Sequence, residues 1–355
     1  MKIRSITVFC APGWPPNRLL LQHLGIFANH ARAVFTQEGF EVQTLRMALP
    51  PFSRFAAPQH LAAAARELSI EAHAEGFEYL SLGPALTNDL ETYPLIPEAL
   101  AATHNVFFSG MLTTPRGEVS LPAAKACARV ITALAAHRPD GFANLNFCAS
   151  ANVPPYAPFF PAAYAENAAP AFALAMEAAD LAVSAFSSAK SLEEARQLLI
   201  AGVESAAGKL EAAAQKLSRM YKYAFRGLDF TLAPFPQENA SIGRALESLG
   251  VPAFGLPGSL FASAFLTDTL DRARFTRTGF NGLMLPVLED SGLAQRAAEN
   301  SLSVTDLLLC SAVCGTGLDV IPLPGDTNAD QLYPCLLYTS PSPRDRTRTR
   351  MPSSA

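Results

Sequence analysis

Short apolar runs alternate with longer amphipathic segments along most of the chain. Glycines such as Gly39 and Gly76 end the amphipathic segments, and an apolar run follows each within a few residues. This punctuation is typical of helices that connect parallel strands, so the pattern predicts an α/β fold. The predicted strands are 2–10, 41–47, 78–83, 105–111, 143–150, 226–232, 281–288 and 317–323. The predicted helices are 17–38, 58–75, 94–103, 121–137, 239–249, 259–273, 291–300 and 304–314.

The segment 162–216 departs from this alternation because it is rich in alanine and poor in glycine and proline. It predicts a helical insertion of two helices, divided near Ser187 and Ser188. Ser191 with Glu194 has the spacing of a capping box, which begins a helix there. We therefore predict one α/β domain over 1–333 that carries this insertion.

The composition excludes several classes of protein. Half of the 355 residues are hydrophobic and only 16% are charged, which excludes a disordered chain and a coiled coil. A net charge of −4 provides no basic surface for nucleic acid. The first apolar run ends at Pro12-Gly13, too early for a signal peptide, and charges interrupt the apolar stretch 159–186. With six scattered cysteines, we expect a cytoplasmic protein without a membrane partner.

The chain changes character at its end. From Leu336 onwards it loses periodicity and fills with proline, serine, threonine and arginine. This stretch resembles translated sequencing-adapter read-through, and the plainer alternative is a disordered basic tail. We therefore expect 334–355 to be a non-native disordered tail and the α/β domain to be truncated at its C-terminus.

Acidic residues collect around the strands predicted in the second half. In parallel α/β folds ligands bind beyond the carboxyl ends of the strands, and several acids at one end would repel each other unless a cation lay among them. We therefore predict a divalent cation, Mg²⁺ or Ca²⁺, held by Glu289, Asp319 and Asp326. Asp229, Glu238 and Asp290 are candidate general acids and bases. Helix capping and turn formation are the structural alternatives for Glu238, Asp290 and Asp326.

Further candidate residues are uncharged. Asn152 and Asn281 are predicted to orient a substrate, and Gly315 with Thr316 to bind it. Cys314 is a candidate nucleophile, although two thiols four residues apart, Cys310 and Cys314, are also typical of a buried helix face. The sequence contains no zinc motif, no His-based triad spacing, no dinucleotide loop and no P-loop.

A series of short motifs in the second half carries a family resemblance. They are Asp229-Phe230-Thr231-Leu232-Ala233-Pro234-Phe235-Pro236, Glu238-Asn239, Gly279-Phe280-Asn281-Gly282, Glu289-Asp290, Cys314-Gly315-Thr316-Gly317-Leu318-Asp319 and Pro324-Gly325-Asp326-Thr327. With the opening Met1–Thr7, they resemble DUF711 (UPF0210), a family of uncharacterised bacterial proteins. The resemblance implies a pyruvate formate-lyase-like α/β barrel of ten strands, in two parallel halves set antiparallel. Glycyl-radical chemistry is not expected, because Arg277-Thr278-Gly279-Phe280 is one residue short of the radical motif.

Two classes of function remain open. One is an enzyme that acts on a small polar substrate at a carboxylate-rich barrel mouth with a divalent cation. The other is a protein that binds or senses a small molecule without catalysis. The expected partner in both cases is a small-molecule ligand, and self-association into a homo-oligomer is left open.

Overall fold

The computed structural model describes residues 1–138 and 140–339. Its centre is one seven-stranded sheet with the order β5-β4-β3-β2-β1-β6-β7. Strands β1 to β5 are parallel to one another; β6 is antiparallel to β1, and β7 is parallel to β6. The sheet is therefore built of two parallel sets that run in opposite directions. The strands are β1 Lys2–Phe9, β2 Val42–Ala48, β3 Tyr79–Ala85, β4 Val106–Met111, β5 Phe147–Ser150, β6 Ala171–Glu177 and β7 Ala224–Ala233.

Eleven α-helices are described in these ranges, and most of them follow the predicted alternation. They are α1 Arg18–Gln37, α2 Leu61–Ala74, α3 Ile96–Ala101, α4 Leu121–Ala135, α5 Ala179–Ser188, α6 Leu192–Tyr221, α7 Ile242–Glu247, α8 Ser259–Arg272, α9 Ser291–Ala298, α10 Val304–Ser311 and α11 Ala329–Thr339. In the described part of the chain, no helix is both long and apolar enough to cross a membrane.

Three predictions of secondary structure were wrong. No strand forms at 281–288 or at 317–323. The predicted helical insertion is helical only from Ala179, because Ala171–Glu177 forms strand β6. The two helices of the insertion do form, and Ser191 caps the second: its Oγ accepts the N–H of Glu194 at 3.2 Å.

The two faces of the sheet differ in the size and polarity of their side chains. In β6 the large residues Phe172, Leu174 and Met176 belong to the main core with the helices, while Ala171, Ala173 and Ala175 face the other way. We call these the outer and the inner face. Buried hydroxyl side chains lie on the inner face, where an aliphatic core would otherwise be expected.

Residues 151–170, here named the inner loop, cover part of this inner face. Thr7 Oγ1 donates to Pro158 O at 3.1 Å, and Ser81 Oγ donates to Ala163 O at 2.7 Å. Tyr156 of the loop packs with Phe9 and Ala171 of the sheet. The Thr7 and Ser81 hydroxyls of the inner face are therefore satisfied by the backbone of a loop instead of by a second layer of helices.

The last described helix enters the segment predicted to be a tail. Helix α11 packs against α4, and Leu336 and Leu337 pack against the main core. Residues 334–339 are therefore helical in this structure. The rest of the predicted tail, 340–355, lies outside the described residues.

Candidate functional site

The opposite directions of the two strand sets separate the predicted polar residues. Asn88, Thr113 and Asn152 follow β3, β4 and β5 at one end of the sheet. Because β6 and β7 are antiparallel to that set, Glu238, which follows β7, lies beyond the opposite end. The expectation of one common end therefore does not hold for Glu238.

A large cleft of about 1950 Å³ is lined by the ends of β4 and β5, the inner loop and the irregular segments 279–284 and 311–325. Five of the predicted site residues lie on its wall, and they include the whole predicted substrate-binding set: Asn152, Asn281, Gly315, Thr316 and Asp319. The other six are not among the residues that line it: Asp229, Glu238, Glu289, Asp290, Cys314 and Asp326.

Asp229 is fully buried on β7 and holds a turn in place. Its Oδ1 accepts the Thr231 hydroxyl at 2.6 Å and the backbone N–H of Thr231 and Asn281, each at 2.9 Å. Its Oδ2 accepts the N–H of Phe280 at 2.7 Å. Burial raises the pKa of Asp229, and these hydrogen bonds pull it back. All four bonds are structural. The carboxylate is therefore not available to a ligand, in contrast to its predicted role as a general acid or base.

Asn281 completes the turn from the other side. Its backbone is left-handed at φ 49°, its Oδ1 accepts the Phe230 N–H at 2.9 Å, and its Nδ2 donates to Thr278 O at 2.7 Å. Gly279 also has a positive φ of 71°, and a Cβ there would overlap with Oδ2 of Asp229. We call Asp229 and residues 278–282 the Asp229 turn; it is the reason that 281–288 cannot lie flat as a strand.

Asp290 is also buried and also structural. Its Oδ1 accepts Ser241 Oγ at 2.6 Å and Leu293 N at 2.9 Å, and its Oδ2 accepts Ile242 N at 2.5 Å. One carboxylate therefore caps the N-termini of two helices, α7 and α9. The capping alternative is the one that the structure contains.

The remaining acids outside the cleft are ion-paired or exposed. Glu238 is 72% exposed and pairs with Arg244, and Glu289 pairs with Arg4 at 3.0 Å. Asp326 lies on an exposed loop. Among the residues described, no group of three His, Cys, Asp or Glu could hold a metal ion, so Glu289, Asp319 and Asp326 do not form the predicted cation site here.

Cys314 lies inside a turn. Its Sγ accepts the N–H of Gly317 at 3.2 Å and lies 3.4 Å from the Thr316 hydroxyl, and the residue is buried. The Thr316 hydroxyl donates to Leu283 O, and Leu283 N donates to Cys314 O at 2.7 Å. This thiol therefore fits the structural alternative better than the role of nucleophile.

Asp319 differs from the other predicted acids. It is half-buried on the cleft wall, and in the described structure its Oδ1 accepts the N–H of the neighbouring Val320 at 2.8 Å. Burial raises its pKa, the charge of Glu289 adds to this, and Arg4 opposes it. Asp319 is therefore a residue of the cleft wall whose carboxyl group is biased towards its protonated form.

Cys148 is a cleft residue that the sequence did not single out. Burial and the nearby charge of Asp319 raise the pKa of its thiol to about 12, so the thiol is neutral at pH 7. It packs with Phe280 against the inner-loop residues Val153 and Ala157. Cys148 lies inside a short apolar strand and therefore resembles a core residue in the sequence. Only the alternation of side chains between the two faces of the sheet could have indicated it.

Asn152 brings a further polar group to the same cleft. It has a left-handed backbone at φ 53°, and its N–H donates to Thr113 Oγ1 at 2.8 Å. The cleft wall therefore combines carboxamides, hydroxyls and a neutral thiol with the carboxyl group of Asp319. Charged residues line it as well: Arg54, Asp140, Glu166 and Asp271. Such a polar wall is suited to contact with a small polar molecule.

Comparison with known proteins assigns the sequence to a family. The model of the family described as "Uncharacterised ACR (DUF711)" matches residues 1–337. The chain belongs to this family.

Relatives named UPF0210 protein share this sequence at moderate identity. The one from Pyrobaculum arsenaticum is 30% identical over 328 residues, which is 84% of this chain and 70% of that protein. That from Halothermothrix orenii is 26% identical, over 88% of this chain and 74% of its own length. That from Neisseria meningitidis is 27% identical, over 84% and 70%. Archaeal relatives are among these proteins, so the family is not confined to bacteria, as the resemblance had implied.

Proposed function

We propose that the chain binds a small polar molecule in the cleft and that Asp319 donates a proton to it. The observation that carries the proposal is the contrast among the six predicted acids. Asp319 lines the cleft, whereas the others serve turns, caps and ion pairs or lie on the surface. A carboxyl group with a raised pKa in a cleft is a candidate general acid.

The neighbours of Asp319 suit an uncharged ligand. Thr316, Asn281 and Asn152 line the same cleft and make this part of its wall polar and uncharged. The neutral Cys148 thiol and the Phe280 ring supply apolar surface beside them. An anionic ligand group would be repelled if Asp319 became charged, and a cation would find no group of three ligands in the described residues. The divalent cation is therefore not part of this proposal.

The test is a thermal-shift screen of a panel of small polar compounds against three proteins: wild type, Asp319→Asn and the control Asp326→Asn. Asp326 is exposed and is not among the cleft-lining residues. We expect a compound that raises the melting temperature of wild type and the control, with a clearly smaller rise for Asp319→Asn. If every active compound stabilises Asp319→Asn as well as wild type, the proposal is wrong.

Catalysis is the finer half of the proposal and has its own measurement. Each compound that binds is incubated with protein and followed by NMR for chemical change. Turnover by wild type that is lost in Asp319→Asn supports a general acid. Binding without turnover favours the second candidate function, a binding or sensing protein.

We also propose that the sheet is part of a ten-stranded barrel of the pyruvate formate-lyase type. The arrangement of five parallel strands followed by two antiparallel to them supports this. A further stretch supports it as well: residues 276–278 run beside β7, with Leu228 N donating to Thr276 O at 2.8 Å and Thr278 N to Leu228 O at 3.1 Å. An experimental structure of a full-length relative would test the strand count.

A further inference from the structure

Arg46 is a charged residue in the middle of a buried strand. It lies on β2, is 8% exposed, and its neighbours Leu45 and Met47 face the main core on the other side of the sheet. A buried guanidinium normally has a carboxylate partner or several acceptors, because an unpaired buried charge is strongly unfavourable. The partners of Arg46 therefore decide whether its charge is balanced within this protein.

The described residues provide one acceptor. Arg46 Nε donates to Thr44 Oγ1 at 2.9 Å, and within the described structure no ion pair or further hydrogen bond involves its two terminal nitrogens. Aromatic rings flank it instead: the guanidinium carbon lies 5.4 Å from the Tyr79 ring centroid and 5.2 Å from that of Phe160. Ring contacts fix the guanidinium in place but accept none of its terminal N–H groups.

The acids around Arg46 are engaged elsewhere. Glu78 accepts Arg32 Nη2 and the backbone N–H of Leu45, and Glu289 pairs with Arg4. Arg4 adds a second positive charge next to Arg46. With Arg32 and Arg4 paired to these two acids, the charge of Arg46 is left without a counter-charge in this group.

We propose that Arg46 binds an oxyanion, the carboxylate or phosphate group of a small molecule, at a site separate from the cleft. The fork of terminal N–H groups matches two oxygens of either anion. Burial and the charge of Arg4 lower the pKa of Arg46 to about 9, which leaves the guanidinium charged at pH 7. Phe160 contacts Arg46 and also lines the cleft, whereas Arg46 itself is not among the lining residues.

The experiment measures binding of sodium phosphate and sodium acetate by calorimetry, with sodium chloride added to keep the ionic strength constant. The proteins are wild type, Arg46→Lys and the control Arg18→Lys, an arginine that is 71% exposed and paired with Glu71. We expect wild type and the control to bind one of the two anions, and Arg46→Lys to bind it at least tenfold more weakly, because lysine lacks the fork. The anion that binds identifies the ligand group.

A second measurement avoids any dependence on the folding of a variant. The same anion is titrated into wild type, and the arginine Nε–H signals are followed by NMR. We expect one strongly protected signal to shift in a saturable way. No heat and no shift with either anion, or equal affinity in Arg46→Lys, would overturn the proposal and leave Arg46 as a residue held by its rings and by water. Asp319→Asn should keep anion binding, which separates this test from that of the cleft.

Discussion

Burial raises the pKa of both Asp229 and Asp319, yet the hydrogen bonds that the two carboxyl groups make are different. Four hydrogen bonds converge on Asp229 from Thr231, Phe280 and Asn281. Asp319 receives one, from the residue that follows it, and lies on the wall of the cleft. From this difference we infer that an acid in this protein is a candidate for chemistry only where structural hydrogen bonds do not use all the acceptor positions of its carboxyl group.

The largest expected effect is that of Asp229→Asn. The carboxamide can accept fewer hydrogen bonds, and its NH₂ group would face N–H donors, so buried donors are left unpaired. We expect a loss of about 3–5 kcal/mol in the free energy of unfolding. Chemical denaturation measures it, and a loss below about 1 kcal/mol would mean that the turn does not depend on this carboxylate.

Asp290→Ala should have the next largest effect. It removes the N-cap of α9 and the carboxylate that accepts the Ile242 N–H at the start of α7, and it leaves the Ser241 hydroxyl without its acceptor. We expect a loss of about 2–3 kcal/mol, roughly twice that of a single cap. Ser303→Ala, at the single capping box of α10, is the matched control and should lose about 1 kcal/mol. Equal losses in the two variants would contradict the double cap.

Gly279→Ala tests the same turn from the opposite partner. The new Cβ would overlap with Oδ2 of Asp229, and the left-handed backbone adds strain, so we expect a loss of about 2 kcal/mol. In an Asp229→Ala background the overlap is absent, and the same substitution should then cost only about 1 kcal/mol. A double-mutant cycle measures this, and additive losses would show that the two residues do not interact.

The smallest expected effect on stability, and the one of opposite sign, is that of Asp319→Asn. Because the folded protein raises the pKa of Asp319, the native state binds this proton more tightly than the unfolded chain does. The contribution of Asp319 to the free energy of unfolding is therefore fully present below its pKa in the unfolded chain, about 3.9. It is lost as the pH rises through its pKa in the folded protein.

Asn cannot ionise, so Asp319→Asn should melt slightly higher than wild type at pH 7, and the two should converge near pH 3. Melting curves over this pH range measure the effect. The same Asp-to-Asn change thus destabilises at position 229 and stabilises at position 319. A lower melting temperature for Asp319→Asn than for wild type at pH 7 would show that the Asp319 carboxylate stabilises the fold, as those of Asp229 and Asp290 do.

The sequence predicted the elements of the first half well because local signals specify them. Gly39 and Gly76 end helices α1 and α2 with positive φ, and an apolar strand follows each. Strand β6 was mistaken for helix because alanine favours helices in isolation. Its alternation of large and small residues, Phe172, Leu174 and Met176 against three alanines, was nevertheless a period-two signal in the sequence.

The errors at 281–288 and 317–323 have a different origin. Both stretches are apolar enough for strands. Non-local bonds hold the first as irregular chain: those of the Asp229 turn, and the link between Leu283 and Cys314. The bonds on Gly317 and Asp319, by contrast, come from residues one to three positions away. The candidate site was predicted in part. The uncharged residues at the cleft were found, whereas the roles of the acids depended on partners some 50 positions distant, which spacing does not reveal.

The inner loop is attached to the sheet through its own main-chain carbonyls, which accept Thr7 and Ser81. Carbonyl groups are common to every residue type, so these anchors place few demands on the identity of the loop's side chains. Side chains that this segment presents to the cleft can therefore differ among relatives while the sheet keeps the same two hydrogen bonds to the loop. Under the proposed function, ligand preference would then diverge by substitution within one stretch of 20 residues, 151–170, and grafting that stretch between relatives would test it.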